Sequence, residues 1–149
     1  MKGFGDLYKS EKKANKKSSF SKKQIINQAI KLHKEGDILQ ATKYYQQIIN
    51  QGYDDPTVFS NYGVILKSLG KLKEAEISIR KALELNPNYA TAHCNLGGIL
   101  KDIGKLKEAE ISTRKALEIN SNYATAHCNL GSILKDIGKL KEAEISTRK

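Results

Sequence analysis

A unit of 34 residues sets what this chain can fold into. Ala90–Tyr123 reads ATAHCNLGGILKDIGKLKEAEISTRKALEINSNY, and the same text starts again at Ala124 and runs to Lys149, with Gly98 against Ser132 the one difference. Pro56–Tyr89 has the same skeleton at the same period, and Lys22–Asp55 a looser version of it. Each unit carries two helical stripes. Leu96, Gly97 and Leu100 are spaced three and four apart, Asp102-Ile103-Gly104-Lys105 interrupts them, and Leu106, Ala109, Ala116 and Leu117 form the second stripe. Gly104 suits the left-handed turn that ends a helix. Asn120-Ser121 closes the second helix, and Asn86-Pro87 closes its counterpart one unit earlier more firmly, because proline cannot continue a helix. Two helices per unit at a fixed period predict an all-α solenoid of stacked helix-turn-helix hairpins, in which each unit leans on its neighbours.

Small residues recur at two places. Gly63, Gly97 and Gly131, with Ala29 in the first unit, share a position in the first helix; Ala41, Ala75, Ala109 and Ala143 share one in the second. A mid-helix glycine costs roughly 1 kcal/mol relative to alanine. Three of them imply that the two helices of a hairpin must approach closely.

These residues carry a resemblance to the tetratricopeptide-repeat family. The family pattern (a large residue, Leu-Gly, a large residue, Ala, an aromatic, Pro) falls on His93, Leu96-Gly97, Leu100, Ala109, Thr113 and Ser121. His93 departs from the usual Trp or Leu, and Thr113 and Thr147 from the aromatic; the preceding unit restores Phe59, Ile79 and Pro87. The resemblance covers residues 22–149 and implies a right-handed superhelix divided as 22–55 (divergent), 56–89, 90–123 and 124–149 (truncated). It implies a protein-binding scaffold and names no ligand.

Residues 1–21, MKGFGDLYKSEKKANKKSSFS, are of different material: rich in Lys and Ser, with no sustained apolar period, and expected to be a disordered basic arm. The stretch lacks the apolar region of a secretory signal, and no segment approaches transmembrane length, so the expected compartment is the cytoplasm and no membrane partner is expected. The net charge is +10, of which residues 1–23 supply +6 through eight lysines against Asp6 and Glu11. Such an arm binds nucleic acid only weakly, by charge, since no groove studded with Arg and aromatics accompanies it.

The ends of the array are atypical. The first unit has Gln28 where the others have Tyr62, Leu96 and Leu130, and carries Tyr44 and Tyr45 in its second helix; a terminal repeat meets water on its outer face. The last unit stops at Arg148-Lys149, inside its expected second helix, without counterparts of Ala116-Leu117-Glu118-Ile119. The expectation is a truncated array or a fragment of a longer reading frame, and an uncapped end that could associate with another copy.

The sharpest candidate site is a row of asparagines, Asn27, Asn61, Asn95 and Asn129, one per first helix. The family resemblance places this position on the concave face. An amide offers both donor and acceptor and can pair with the N–H and C=O of an extended peptide backbone. The segment Ala126-His127-Cys128-Asn129-Leu130-Gly131-Ser132 is similar to repeats preceding the catalytic domain of O-linked N-acetylglucosaminyltransferases, which implies such a ladder binding peptide. Further along lie Lys67, Lys101 and Lys135, with His33 in the first unit; Asp102 and Asp136 sit beside two of these lysines, and Thr57, Thr91 and Thr125 open the helices. The resemblance implies that Lys and Asn on this face can grip a peptide carboxylate, which the Asp residues would oppose.

Cys94 and Cys128, at equivalent positions of adjacent units, are expected about 9–10 Å apart at Cα, too far for a disulfide. His93-Cys94 and His127-Cys128 point about 100° apart on a helix, the histidines toward the hairpin interior and the cysteines toward the groove, so no metal is expected. No phosphate-binding Gly loop, Gly-x-Ser-x-Gly or His-Glu-x-x-His occurs. The Glu108-Ala109-Glu110 and Glu142-Ala143-Glu144 carboxylates are expected on an outward face, paired with nearby lysines. The sequence therefore reads as a peptide- or helix-binding scaffold without cofactor or enzymatic site of its own. The alternatives are the substrate-recruiting half of a larger transferase with its catalytic domain beyond residue 149, and a self-associating scaffold.

Overall fold

The computed structural model describes residues 21–147, with side chains through 141; the expected disordered arm thus lies outside the described residues except for Ser21. Among the described residues seven helices follow in order: α1 Lys22–Lys34, α2 Ile38–Asn50, α3 Pro56–Ser68, α4 Leu72–Leu85, α5 Ala90–Ile103, α6 Leu106–Ile119 and α7 Ala124–Thr147. Consecutive helices pack as antiparallel pairs, and each pair stacks on the next, which makes the molecule a helical solenoid of hairpins.

Local chemistry sets the helix limits. Ser21 starts α1 with a capping box: its Oγ accepts from Gln24 N–H at 3.3 Å, and its N–H donates to Gln24 Oε1 at 2.8 Å. Asp55 caps α3 by accepting from Thr57 and Val58 N–H, with Pro56 at the first helical position. Gly104 ends α5 at φ +90°, a left-handed backbone where other residues are strained, and its N–H closes on Leu100 and Lys101 carbonyls.

The glycines do what their spacing predicts in two hairpins. A methyl at Gly63 would sit 2.7 Å from Ile79 Cδ1 and 3.2 Å from the Ala75 carbonyl; at Gly97 it would strike Thr113 Oγ1 and lie 3.2 Å from the Ala109 carbonyl. Thr113 is fully buried and donates to the Ala109 carbonyl at 2.8 Å. It therefore stands in the aromatic's place as a short side chain whose hydroxyl is satisfied by its own helix. The central core runs across units, joining Leu66 and Ile79 to Leu96, Ile99, Leu100 and Ile133.

The fourth unit departs from the expected hairpin. Asp136-Ile137-Gly138-Lys139 repeats the turn at Asp102–Lys105, yet α7 runs through it as one 24-residue helix. The same tetrapeptide both breaks and continues, so the turn is not encoded locally. In the third unit the break is held by tertiary burial: α6 sinks Ala109, Ser112, Thr113 and Ala116 between its neighbours. The stretch after Gly138 does not fold back onto the first half of α7, and helical hydrogen bonding continues instead.

Candidate functional site

The asparagine row lies along the first helices, where the units stack on one another. Its members are not equivalent. Asn27 is exposed and lines a cleft of about 550 Å³ with Gln24, Ile25, Gln28, Lys31 and Tyr44. Asn61, Asn95 and Asn129 are half-buried. Asn95 Nδ2 donates to Ser60 Oγ at 3.5 Å, and Asn129 Nδ2 to Cys94 Sγ at 3.4 Å. Each acceptor immediately precedes the ladder asparagine of the unit before, so one amide N–H in two rungs is spent on stacking. Asn61 meets Ile26 at that offset, which accepts nothing. It lies instead beside the Tyr45 hydroxyl, which is buried without a hydrogen-bond partner. Burial pushes the Tyr45 phenol up, and the Asn61 amide works against it.

The lysine row is also tied across units. Lys67 Nζ stands 3.2 Å from Asp102 Oδ2, and Lys101 Nζ 4.0 Å from Asp136 Oδ2. Lys101 Nζ also donates to Ser132 Oγ at 2.7 Å. The corresponding position under Lys67 is Gly98, where a Cβ would lie 3.1 Å from Nζ. The single difference between the two near-identical repeats thus falls beside the lysine row. Lys135 is exposed and makes no ion pair among the described residues. Thr91 is exposed beside the Tyr123 phenol, which burial pushes up against the pull of Thr91; Thr125 is exposed.

Two of the histidines and cysteines, His127 and Cys94, sit differently from expectation. His93 Nε2 lies 2.8 Å from the Pro87 carbonyl and His127 Nε2 2.8 Å from that of Ser121. Both brace the loop that leads into their helix; His127 is exposed, so it does not fill a hairpin interior. Cys94 is buried with Ala116 and Ala126 between units, while Cys128 is exposed; both are free thiols. Burial pushes the Cys94 thiol up, opposed by Tyr123, Asn129 and Lys67. Among the described residues no cluster of His, Cys, Asp and Glu is placed to hold a metal ion, and no helix is long and apolar enough to cross a membrane.

Sequence reasoning missed the partners across the second helices. Glu76, its side chain 13% exposed, pairs with Arg80 at 2.8 Å and with Lys105 of the next unit at 3.2 Å, and Arg80 also reaches Glu108 at 3.0 Å. The expected local lysine partners are instead arginines four residues on, Arg80 and Arg114, together with ties between units. Burial works to raise the Glu76 carboxyl, but hydrogen bonds and charge from Arg80 and Lys105 outweigh it and hold the group below the usual carboxylate range.

Residues 27–149 match the family described as cilia and flagella-associated protein 70 middle TPR-like domain. No curated protein matches the sequence. Among solved structures, the chain is similar to the first TPR of Spaghetti (RPAP3) bound to the HSP90 peptide SRMEEVD, with 23% identity, TM-score 0.74, and 81% of this chain and 96% of that one covered. It is similar to the second TPR domain of human RPAP3 in complex with the HSP70 peptide SGPTIEEVD, with 24% identity, TM-score 0.66, and coverage of 73% and 91%. A mutant of Thermobaculum terrenum O-GlcNAc transferase shares 26% identity at TM-score 0.72, over 76% of this chain but 22% of that one. With its 34-residue period, its stacked hairpins and a family match over most of its length, the chain belongs to the tetratricopeptide repeats, in the family of the cilia and flagella-associated protein 70 middle TPR-like domain.

Proposed function

We propose that the chain is a protein-interaction scaffold that takes an extended polypeptide, or a partner helix, along the face carrying Asn61, Asn95 and Asn129, recognising it through the main chain. The observation that carries this reading is the pair of bonds Asn95–Ser60 and Asn129–Cys94. Each fixes one amide nitrogen between units, and no described group donates to either Oδ1, which keeps a pre-oriented acceptor for a peptide N–H. The two RPAP3 structures hold peptides ending in Glu-Glu-Val-Asp, so helical hairpins of this shape accommodate a peptide. Here Lys67 and Lys101 already face Asp102 and Asp136. An acidic peptide must displace those carboxylates, so main-chain pairing rather than charge is the main recognition, with Lys101, Asp102, Lys135 and Asp136 tuning preference. Calorimetry against a library of extended peptides tests it: Asn95→Ala with Asn129→Ala abolishes or weakens binding about tenfold or more at unchanged helicity. Unchanged affinity removes the ladder from the account.

The likeness to part of an O-GlcNAc transferase favours a second reading, in which these repeats recruit substrates for a transferase domain elsewhere in a longer protein. The source transcript tests it: an open frame past codon 149 encoding a glycosyltransferase domain supports it, and an immediate stop removes it.

A further inference from the structure

Among the described residues, the face that α6 covers on α5 is left open on α7, although the two faces are nearly identical in sequence. Leu100 is 1% exposed, and its counterpart Leu134 is 41% exposed. Leu140, which repeats the half-buried Leu106, is 58% exposed. Gly97 is a notch filled by Thr113, while around Gly131 nothing lies within 4 Å of a Cβ. The element that would cover this face is present in the same helix: Leu140–Thr147 repeats Leu106–Thr113 residue for residue, and it continues α7 away from the face instead of folding back. Each chain thus carries both halves of a hairpin interface in one continuous helix of 24 residues, about 36 Å long at 1.5 Å per residue.

We propose that two copies of this chain pair through α7, antiparallel and crossing at Gly138. Each copy lays its Leu140–Thr147 stretch on the Ala124–Ile137 face of the other. The register follows from the closed hairpin. There, Gly97 faces Ala109 and Thr113, a pairing centred in sequence on Gly104; 34 residues on, the same pairing between two chains is centred on Gly138. The arrangement is isologous, makes the hairpin contact twice, and puts the smallest residue at the crossing, where a Cβ meets nothing within 4 Å. It exchanges an element the chain already folds against itself one unit earlier. The contact therefore reproduces one the chain already makes, with Ser132 for Gly98 the only substitution, and that position points to the lysine row rather than to the hairpin.

Sedimentation of the full 149-residue chain across two decades of concentration tests the pairing. A monomer–dimer equilibrium is expected. Leu134→Glu with Leu140→Glu, both exposed in the single chain, should raise the dissociation constant about a hundredfold at unchanged helicity. Gly131→Ala, harmless in the single chain, should weaken pairing about tenfold by filling the notch. In a Cys94→Ser, Cys128→Ser background, Gly138→Cys should form a symmetric disulfide dimer on oxidation. A chain that stays monomeric throughout, as it would if Gly138 bent and the helix closed on itself, overturns the proposal. So does a dimer indifferent to the Leu134 and Leu140 substitutions and not trapped by Gly138→Cys.

Discussion

Lys101 Nζ reaches across a unit boundary to Ser132 Oγ at 2.7 Å, while the equivalent Lys67 passes over Gly98 with no hydroxyl to meet. Apart from that site the third and fourth repeats, which supply Gly98 and Ser132, are the same text, whereas Lys67 itself belongs to the second repeat, whose sequence differs. Gly98→Ser should give Lys67 the same partner. The new Cβ would lie 3.1 Å from the far end of a flexible lysine and at an ordinary 3.8 Å from Asn129 Nδ2, and serine gains roughly 0.5 kcal/mol of helix propensity over glycine. The expected outcome is a melting temperature unchanged or raised by a few degrees; a fall of about 5 °C or more would show that the lysine cannot move aside.

Gly97 behaves in the opposite way. Its missing Cβ points at Thr113 Oγ1 and at the Ala109 carbonyl, and backbone cannot give way as a lysine tip can. Gly97→Ala should therefore destabilise by about 1–3 kcal/mol in urea unfolding, despite a propensity gain of roughly 1 kcal/mol. Pairing it with Thr113→Ala should recover part of the loss, since that removes the oxygen the methyl strikes. No recovery would place the clash at the Ala109 carbonyl instead.

The hairpins and their close approach were legible because period, stripe and small residues are written in the order of the chain. The last hairpin was not, because Asp136–Lys139 copies a turn whose stability comes from burial of α6 and not from its own residues. The asparagine and lysine rows were legible as rows, but their internal partners were not. Ser60, Cys94, Asp102 and Asp136 serve residues one repeat away and one position offset, a register that stacking determines and the periodicity alone does not. The same holds for Glu76, whose strongest ties run to Arg80 on its own helix and Lys105 on the next unit.

That Glu76 cluster makes a prediction about acid. Arg80 and Lys105 hold the carboxyl below its ordinary value of 4.5, against the opposing effect of burial. A depressed carboxyl binds its proton more weakly folded than unfolded, so its contribution is present above about pH 4.5 and is lost as pH falls through the lower folded value. Glu76→Gln should cost about 1 kcal/mol or less at neutral pH, the partners being half-exposed. It should also flatten the acid limb of the stability curve. A variant whose acid limb overlays that of the parent would mean the cluster contributes nothing to folding.

The two cysteines, alike in sequence context, should differ in reactivity. Cys94 is 1% exposed and its thiol is pushed up by burial, which leaves less thiolate at neutral pH. Cys128 occupies the same helical position one unit on and is exposed. A thiol reagent should label Cys128 rapidly and Cys94 only as the units open. Adding denaturant below the unfolding midpoint should speed the slow phase and leave the fast phase alone, because opening is local to the Cys94, Ala116 and Ala126 contact. Asn129→Ala removes the amide that donates to Cys94 Sγ at 3.4 Å, and should quicken the slow phase by loosening that boundary. If both thiols react at one rate in the native protein, the boundary between the third and fourth units is already open, and the asparagine row ends at Asn95.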